Sequence, residues 1–245
     1  MVIIFSLNAC MPVVVPSLPT ETLTVTPSPS ATVEWFPPTP TPEIIPTSEI
    51  IPTQAVFSEL GEVIFRDDFN APEQWILPQT DRGQINISNG EANIIINEPK
   101  IYLVGTREKP DLTSFYVEIT ANPILCDGRD EYGLLFRVYG RSQFYRFAIT
   151  CGGELRLDKI TPGGGTILYP LTRSASVPVG APSISKIAVL AERNQLHLFI
   201  NGDYQTSVTD HQLVVGSFGI FARSAGDSAL TVSFSDLIVR EVLQK

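Results

Sequence analysis

At 245 residues the chain is long enough to bury one sizeable core. Its 17 Lys and Arg stand against 26 Asp and Glu, a formal net charge of −9, so it lacks the basic footprint that a nucleic-acid partner requires. Three cysteines and two histidines leave little material for thiolate or imidazole chemistry.

The chain begins with a short apolar stretch, Val2 to Leu7, followed by Asn8, Ala9 and Cys10. No Lys or Arg occurs before Arg66, so the basic start of an export signal is missing and the true start is expected upstream of Met1. Leu7-Asn8-Ala9-Cys10 resembles the lipobox of a bacterial lipoprotein. The resemblance implies that residues 1–10 are the end of a lipoprotein signal and that Cys10 is lipidated. The protein would then sit outside the cytoplasm, held on the bacterial cell membrane by the acyl chains on Cys10. Residues 11–55 change composition: 11 of the 20 prolines fall here among Thr and Ser, and Glu43-Ile44-Ile45-Pro46-Thr47 recurs as Glu49-Ile50-Ile51-Pro52-Thr53. Proline fixes φ and removes the donor that a helix or ladder needs, so this segment reads as a disordered, polyproline-type tether.

Residues 56–245 read as one folded domain. All 17 basic and 20 of the 26 acidic residues lie from Arg66 onward, a net of −3. Asn89-Gly90 and Asn201-Gly202 each separate two alternating runs, the strongest short-range hairpin signal because type I′ turns need φ > 0 at both positions. Gly152-Gly153 marks a third turn. Runs rich in Val, Ile, Phe and Tyr span 63–69, 113–122, 132–139, 143–150, 154–160, 183–192, 218–222 and 230–242. No helical periodicity competes with them. The predicted class is all-β, a two-sheet antiparallel sandwich or jelly roll.

Parity assigns the faces. Phe115, Val117, Ile119 and Ala121 share a side with Tyr132, Leu134, Phe136 and Val138, then with Tyr145, Phe147 and Ile149, and finally with Leu155 and Leu157. The opposite side collects Tyr116, Glu118, Arg137, Tyr139, Arg146, Glu154, Arg156 and Asp158. If these runs meander in one sheet, Cys126 and Cys151 meet at its edge, and an even cysteine pair in an exported chain implies a disulfide.

With the strands placed, the chain resembles the concanavalin A-like lectin/glucanase superfamily in its laminin-G-like branch. The pieces that carry the resemblance are Phe65-Arg66-Asp67-Asp68-Phe69 with Trp75, Tyr132-Gly133-Leu134-Leu135-Phe136-Arg137, Phe144-Tyr145-Arg146-Phe147, Leu198-Phe199-Ile200-Asn201-Gly202, Gly219-Ile220-Phe221-Ala222 and Val232-Ser233-Phe234-Ser235-Asp236. They cover most of residues 60–242. The resemblance implies a jelly roll of two curved sheets and, more weakly, sugar binding, since this fold hosts many functions.

Catalytic signatures are absent from the sequence. The glucanases of that superfamily carry Glu-x-Asp-x-x-Glu on one strand, and no Glu-x-Asp occurs here. His197 alternates with Leu196 and Leu198 and points away from the core, no Gly-x-Ser-x-Gly is present, and no Cys or His pair has zinc-ligand spacing. Calcium is the one ion the acids could take, at Asp67, Asp68 and Asp236 if the first and last strands pair, or in the loop Asp127–Glu131. No cofactor is required. The leading functional expectation is a non-catalytic module that binds a glycan or cell-envelope polymer through Tyr116, Arg137, Tyr139, Arg146 and Arg156, since arginine offers five donors in a fixed fork. A structural or protein-interaction domain without a small ligand is the alternative, and a divergent glycoside-processing enzyme the third.

Overall fold

The structure is a computed structural model that describes residues 59–243 except Arg141. Cys10 and the Pro/Thr-rich tract lie outside the described residues. In chain order the strands are β1 (Leu60–Asp67), β2 (Trp75–Ile76), β3 (Gln79–Thr80), β4 (Gly83–Ser88), β5 (Glu91–Ile96), β6 (Tyr102–Arg107), β7 (Phe115–Leu125) and β8 (Glu131–Tyr139). There follow β9 (Gln143–Thr150), β10 (Glu154–Thr161), β11 (Gly164–Arg173), β12 (Ser185–Glu192), β13 (Gln195–Ile200), β14 (Asp203–Thr209), β15 (Ser217–Arg223) and β16 (Leu230–Val242). They form two antiparallel sheets. One runs β14-β13-β12-β7-β16-β5-β4-β3 with β1 also on β16, and the other runs β11-β10-β9-β8-β15-β6-β2.

Local chemistry accounts for the turns. Asn89 and Gly90 take φ of 56° and 78°, and Asn201 and Gly202 take 54° and 85°. These are the left-handed values of a type I′ hairpin, which Asn and Gly tolerate best. Between the sheets lies one continuous apolar core, including Phe115, Phe136, Phe147, Phe218 and Phe234. Each is fully buried. Gly133 is forced by close approach, since a Cβ there would lie 2.1 Å from the Phe147 carbonyl oxygen.

Three expectations need correction. The runs 113–122, 132–139, 143–150 and 154–160 do not meander in one sheet: β8, β9 and β10 do, but β7 pairs with β12 and β16 in the other layer. Tyr116 therefore lies on the opposite side of the molecule from Arg146 and Arg156. Arg137 does not face solvent either. Register slips between Phe136 and Tyr139, and Arg137 takes φ of 49°, so a bulge breaks the two-residue alternation and turns the side chain inward. It is fully buried.

The Cys126–Cys151 bridge is present, with Cα atoms 6.2 Å apart across 25 residues of sequence. Because Cys126 follows β7 and Cys151 follows β9, it ties the two layers together at one end of the sandwich. The pairing expected of the first and last strands is also present, with Asp67 opposite Leu237. Their acids do not converge, however. Asp67 is buried and accepts from Arg107 Nε at 2.7 Å, Trp75 Nε1 at 2.9 Å and its own Phe69 N–H at 2.8 Å. Asp68 accepts from Asn70, and Asp236 from Ser235. The Asp67 carboxylate is thus occupied by a cation of the protein itself. In the second acidic loop, Asp130 accepts from the backbone N–H groups of Asp127, Ala225 and Gly226. Among the described residues no three His, Cys, Asp or Glu gather as a metal site.

Candidate functional site

The outer face of the seven-stranded sheet brings together most of the predicted polar platform. Its floor is apolar: Leu135, Val138, Phe144, Ala148 and Phe221 form a second buried cluster on the side away from the main core. Over it lies an ion-paired row. Arg146 holds Asp158 with Nε at 3.1 Å and Nη2 at 2.7 Å, and Arg156 Nε lies 3.0 Å from the same carboxylate oxygen. Arg156 also donates to Glu131 at 2.9 Å, and Arg223 approaches Glu131 at 3.6 Å. The register explains the row: Arg146 sits opposite Asp158, and Glu131 opposite Arg223.

Arg146 also covers aromatic surface. Its guanidinium carbon is 5.6 Å from both the Tyr102 and the Phe221 ring centroids, the geometry of a cation–π contact. Burial raises the Tyr102 phenol above its ordinary pKa, with Arg146 opposing. For Arg146 itself burial acts downward, but its bonds to Asp158 and Tyr102 outweigh that and raise it further. The two arginines are largely covered, 14% and 17% exposed.

At the β2–β6 margin the face opens into a cleft. One cavity of about 360 Å³ is lined by residues including Ile76, Thr106, Val138 and Tyr139. A neighbouring one of about 360 Å³ shares Ile76 and Thr106 and adds Leu77, Pro78 and Val104. Tyr139 is 64% exposed at one end, and Tyr102 is 40% exposed nearer the arginines.

The structure therefore unites Arg146 and Arg156 on one face, places Tyr139 at the end of β8 in the lining of the adjoining cleft, and leaves out Tyr116 and Arg137. Tyr116 lies on the outer face of the other sheet, where its hydroxyl donates to Glu118, which Lys186 rather than Arg137 pairs. Sequence reasoning missed Tyr102, Phe221 and the Ile76–Pro78 wall, and read Glu131 as a loop acid where it opens β8 and pairs with Arg156. Alternation within β6 and β15 could have found Tyr102 and Phe221, whereas the two-residue β2 carries too little pattern to be read. Glu131 and Asp158 are both engaged by Arg156, while Glu108 and Asp111 line the adjoining cleft.

No protein-family profile and no curated protein matches the chain. Solved structures do match. A Bacillus subtilis protein of unknown function with a galectin-like fold aligns at TM-score 0.60 and 13% identity, over 77% of this chain and 100% of that one. The carbohydrate-binding module CBM66 of the same organism aligns at 0.55 and 13%, over 69% of this chain and 96% of that one. The catalytic domain of an endo-1,3-β-glucanase from Thermotoga petrophila aligns at 0.54 and 9%, over 76% of this chain and 100% of that one. The fold is a concanavalin A-like jelly roll. These similarities span binding modules and catalytic domains alike, so at such identities they speak to the fold alone.

Proposed function

We propose that this jelly roll is a non-catalytic module that binds a glycan or cell-envelope polymer, presented outside the cytoplasm on a lipid anchor at Cys10 through the Pro/Thr-rich tether. The observation that carries the reading is the outer face of the seven-stranded sheet. Planar guanidinium groups fixed by carboxylates lie against the part-exposed Tyr102, beside a cleft whose lining mixes Ile76, Leu77 and Val104 with Arg107, Glu108, Asp111 and the exposed Tyr139. Sugars present apolar C–H faces to aromatic rings and hydroxyls to planar donors, and a site whose side chains are already immobilised loses less entropy on binding. The match to a carbohydrate-binding module of the same fold supports the reading.

A glycan array probed with the protein tests it. Binding is expected, and it is expected to fall with Tyr102→Ala, Tyr139→Ala and Arg146→Ala. No glycan bound, or binding indifferent to all three substitutions, would remove this face from consideration. A second reading, a protein-interaction domain without a small ligand, is favoured by the ion-paired centre of the same face, where Arg146, Asp158, Arg156 and Glu131 already satisfy one another.

A further inference from the structure

A separate pocket opens at one end of the sandwich, away from the face above. It has a volume of about 520 Å³ and is lined by Thr113, Ser114, Arg193, Asn194, His211 and Val214. Thr113 and Ser114 lead into β7, Arg193 and Asn194 form the β12–β13 turn, and His211 and Val214 lie in the β14–β15 connection. The lining holds a guanidinium, an imidazole, an amide and two hydroxyls, and no carboxylate.

The buried Arg137 organises this pocket from beneath. Its guanidinium donates to the carbonyls of Leu213 at 2.8 Å, Thr113 at 2.8 Å and Arg193 at 2.6 Å, one from each of the three segments that line the pocket. With those carbonyls drawn inward to one cation, the side chains of Thr113, Ser114, Arg193 and His211 are left at the surface. Among the described residues the Arg193 guanidinium makes no hydrogen bond or ion pair, and Arg193 is exposed. Asn194 Nδ2 lies 3.4 Å from His211 Nε2, so in the neutral ring Nε2 accepts and Nδ1 carries the hydrogen. Asp210, which precedes His211, turns inward to Tyr145 and Lys159.

We propose that this pocket binds a phosphoryl oxyanion. Arginine and phosphate form short, charge-assisted, two-point hydrogen bonds. Donors arriving from three separate segments suit a tetrahedral group with several oxygens better than a flat carboxylate with two. The same chemistry is offered by a phospholipid headgroup and by a free or polymer-borne phosphate. The inference does not depend on the glycan reading, since the two sites share no residue.

The test titrates the ¹⁵N-labelled full chain with inorganic phosphate at constant ionic strength and follows its NMR spectrum. Saturable shifts are expected at Thr113, Ser114, Arg193, Asn194 and His211. Arg193→Asn, a residue that tolerates the positive φ of 52° at this position, is expected to weaken binding by about 10- to 100-fold. His211→Gln provides a second variant that leaves the turn untouched, with a smaller loss expected. A parallel arm uses phosphatidylcholine vesicles with and without phosphatidylglycerol. Association with the anionic vesicles that Arg193→Asn abolishes assigns a lipid headgroup, and phosphate binding without vesicle association assigns a free or polymer-borne phosphate. Absence of saturable shifts at these residues, or affinity unchanged in both variants, overturns the proposal.

Discussion

Replacing Arg137 with Met tests the structural reading most directly, because an arginine on a wet sheet and one beneath three loops behave differently. Met keeps length and packing but removes every donor. Three carbonyls, those of Thr113, Arg193 and Leu213, then lose bonds of 2.6–2.8 Å. A buried acceptor left unsatisfied costs about 1–3 kcal/mol, so the gross loss is about 3–9 kcal/mol. Against this stands relief: the guanidinium is fully buried, its Nε has no partner, and burial lowers its pKa. Removing such a charge from the interior returns several kcal/mol, leaving a net destabilisation of about 3 kcal/mol. For a domain of this size that corresponds to a fall in Tm of about 6–12 °C. Calorimetry of the wild type, Arg137→Met and Arg137→Lys measures it, with Lys recovering part of the loss through its three donors. Substitution at a solvent-facing site changes stability by about 0.5 kcal/mol or less. A fall in Tm of under about 2 °C for Arg137→Met would place the side chain at the surface and refute the argument, together with the support it gives the pocket above.

Two further predictions concern the interior. Reducing the Cys126–Cys151 bridge, or replacing Cys151 with Ser, is expected to destabilise by about 3.5 kcal/mol, from closure of a loop of 25 residues. Calorimetry with and without reductant checks this, and no change would mean that the two layers hold equally well unlinked. The buried Asp210 predicts acid sensitivity. Burial alone would raise its pKa, but bonds from Lys159, Tyr145 and the Gln212 N–H outweigh burial and lower it. The stability this pair contributes is therefore fully present above the ordinary carboxylate pKa of about 3.9 and is lost as pH falls through the lower folded value. Denaturant midpoints measured from pH 6 down to pH 2 should fall less steeply for Asp210→Asn than for the wild type.

How far the sequence could be read depended on what interrupts alternation. Runs with strict two-residue periodicity, such as Tyr145-Phe147-Ile149 and Phe115-Val117-Ile119, were assigned to the core, and both lie there. The Asn-Gly turns were legible because their backbone demand is a property of two residues. Arg137 was not: alternation holds through Phe136, and the bulge that turns the next residue inward arises where β8 meets β15 and β9, as contacts distant in sequence. Sheet membership was likewise out of reach for β7, since local pattern marks a buried side but not which partner strands supply the hydrogen bonds. Of the predicted site, Arg146 and Arg156 meet on one face, while Tyr102 and the β2–β6 cleft that Tyr139 lines depend on tertiary neighbours.

The pairing of β1 bears on how this domain withstands tension. β1 forms ladder bonds with β16 alone, beginning at Leu60 opposite Val242. Its far end is riveted by Asp67 to Arg107 and Trp75. A force drawn along the strand through residue 60 would strain the ladder in shear, many bonds at once, before it reached the Phe65 packing and the ion pair. A force drawn sideways would unzip the same bonds one after another, so the direction of pull sets how much load the strand withstands.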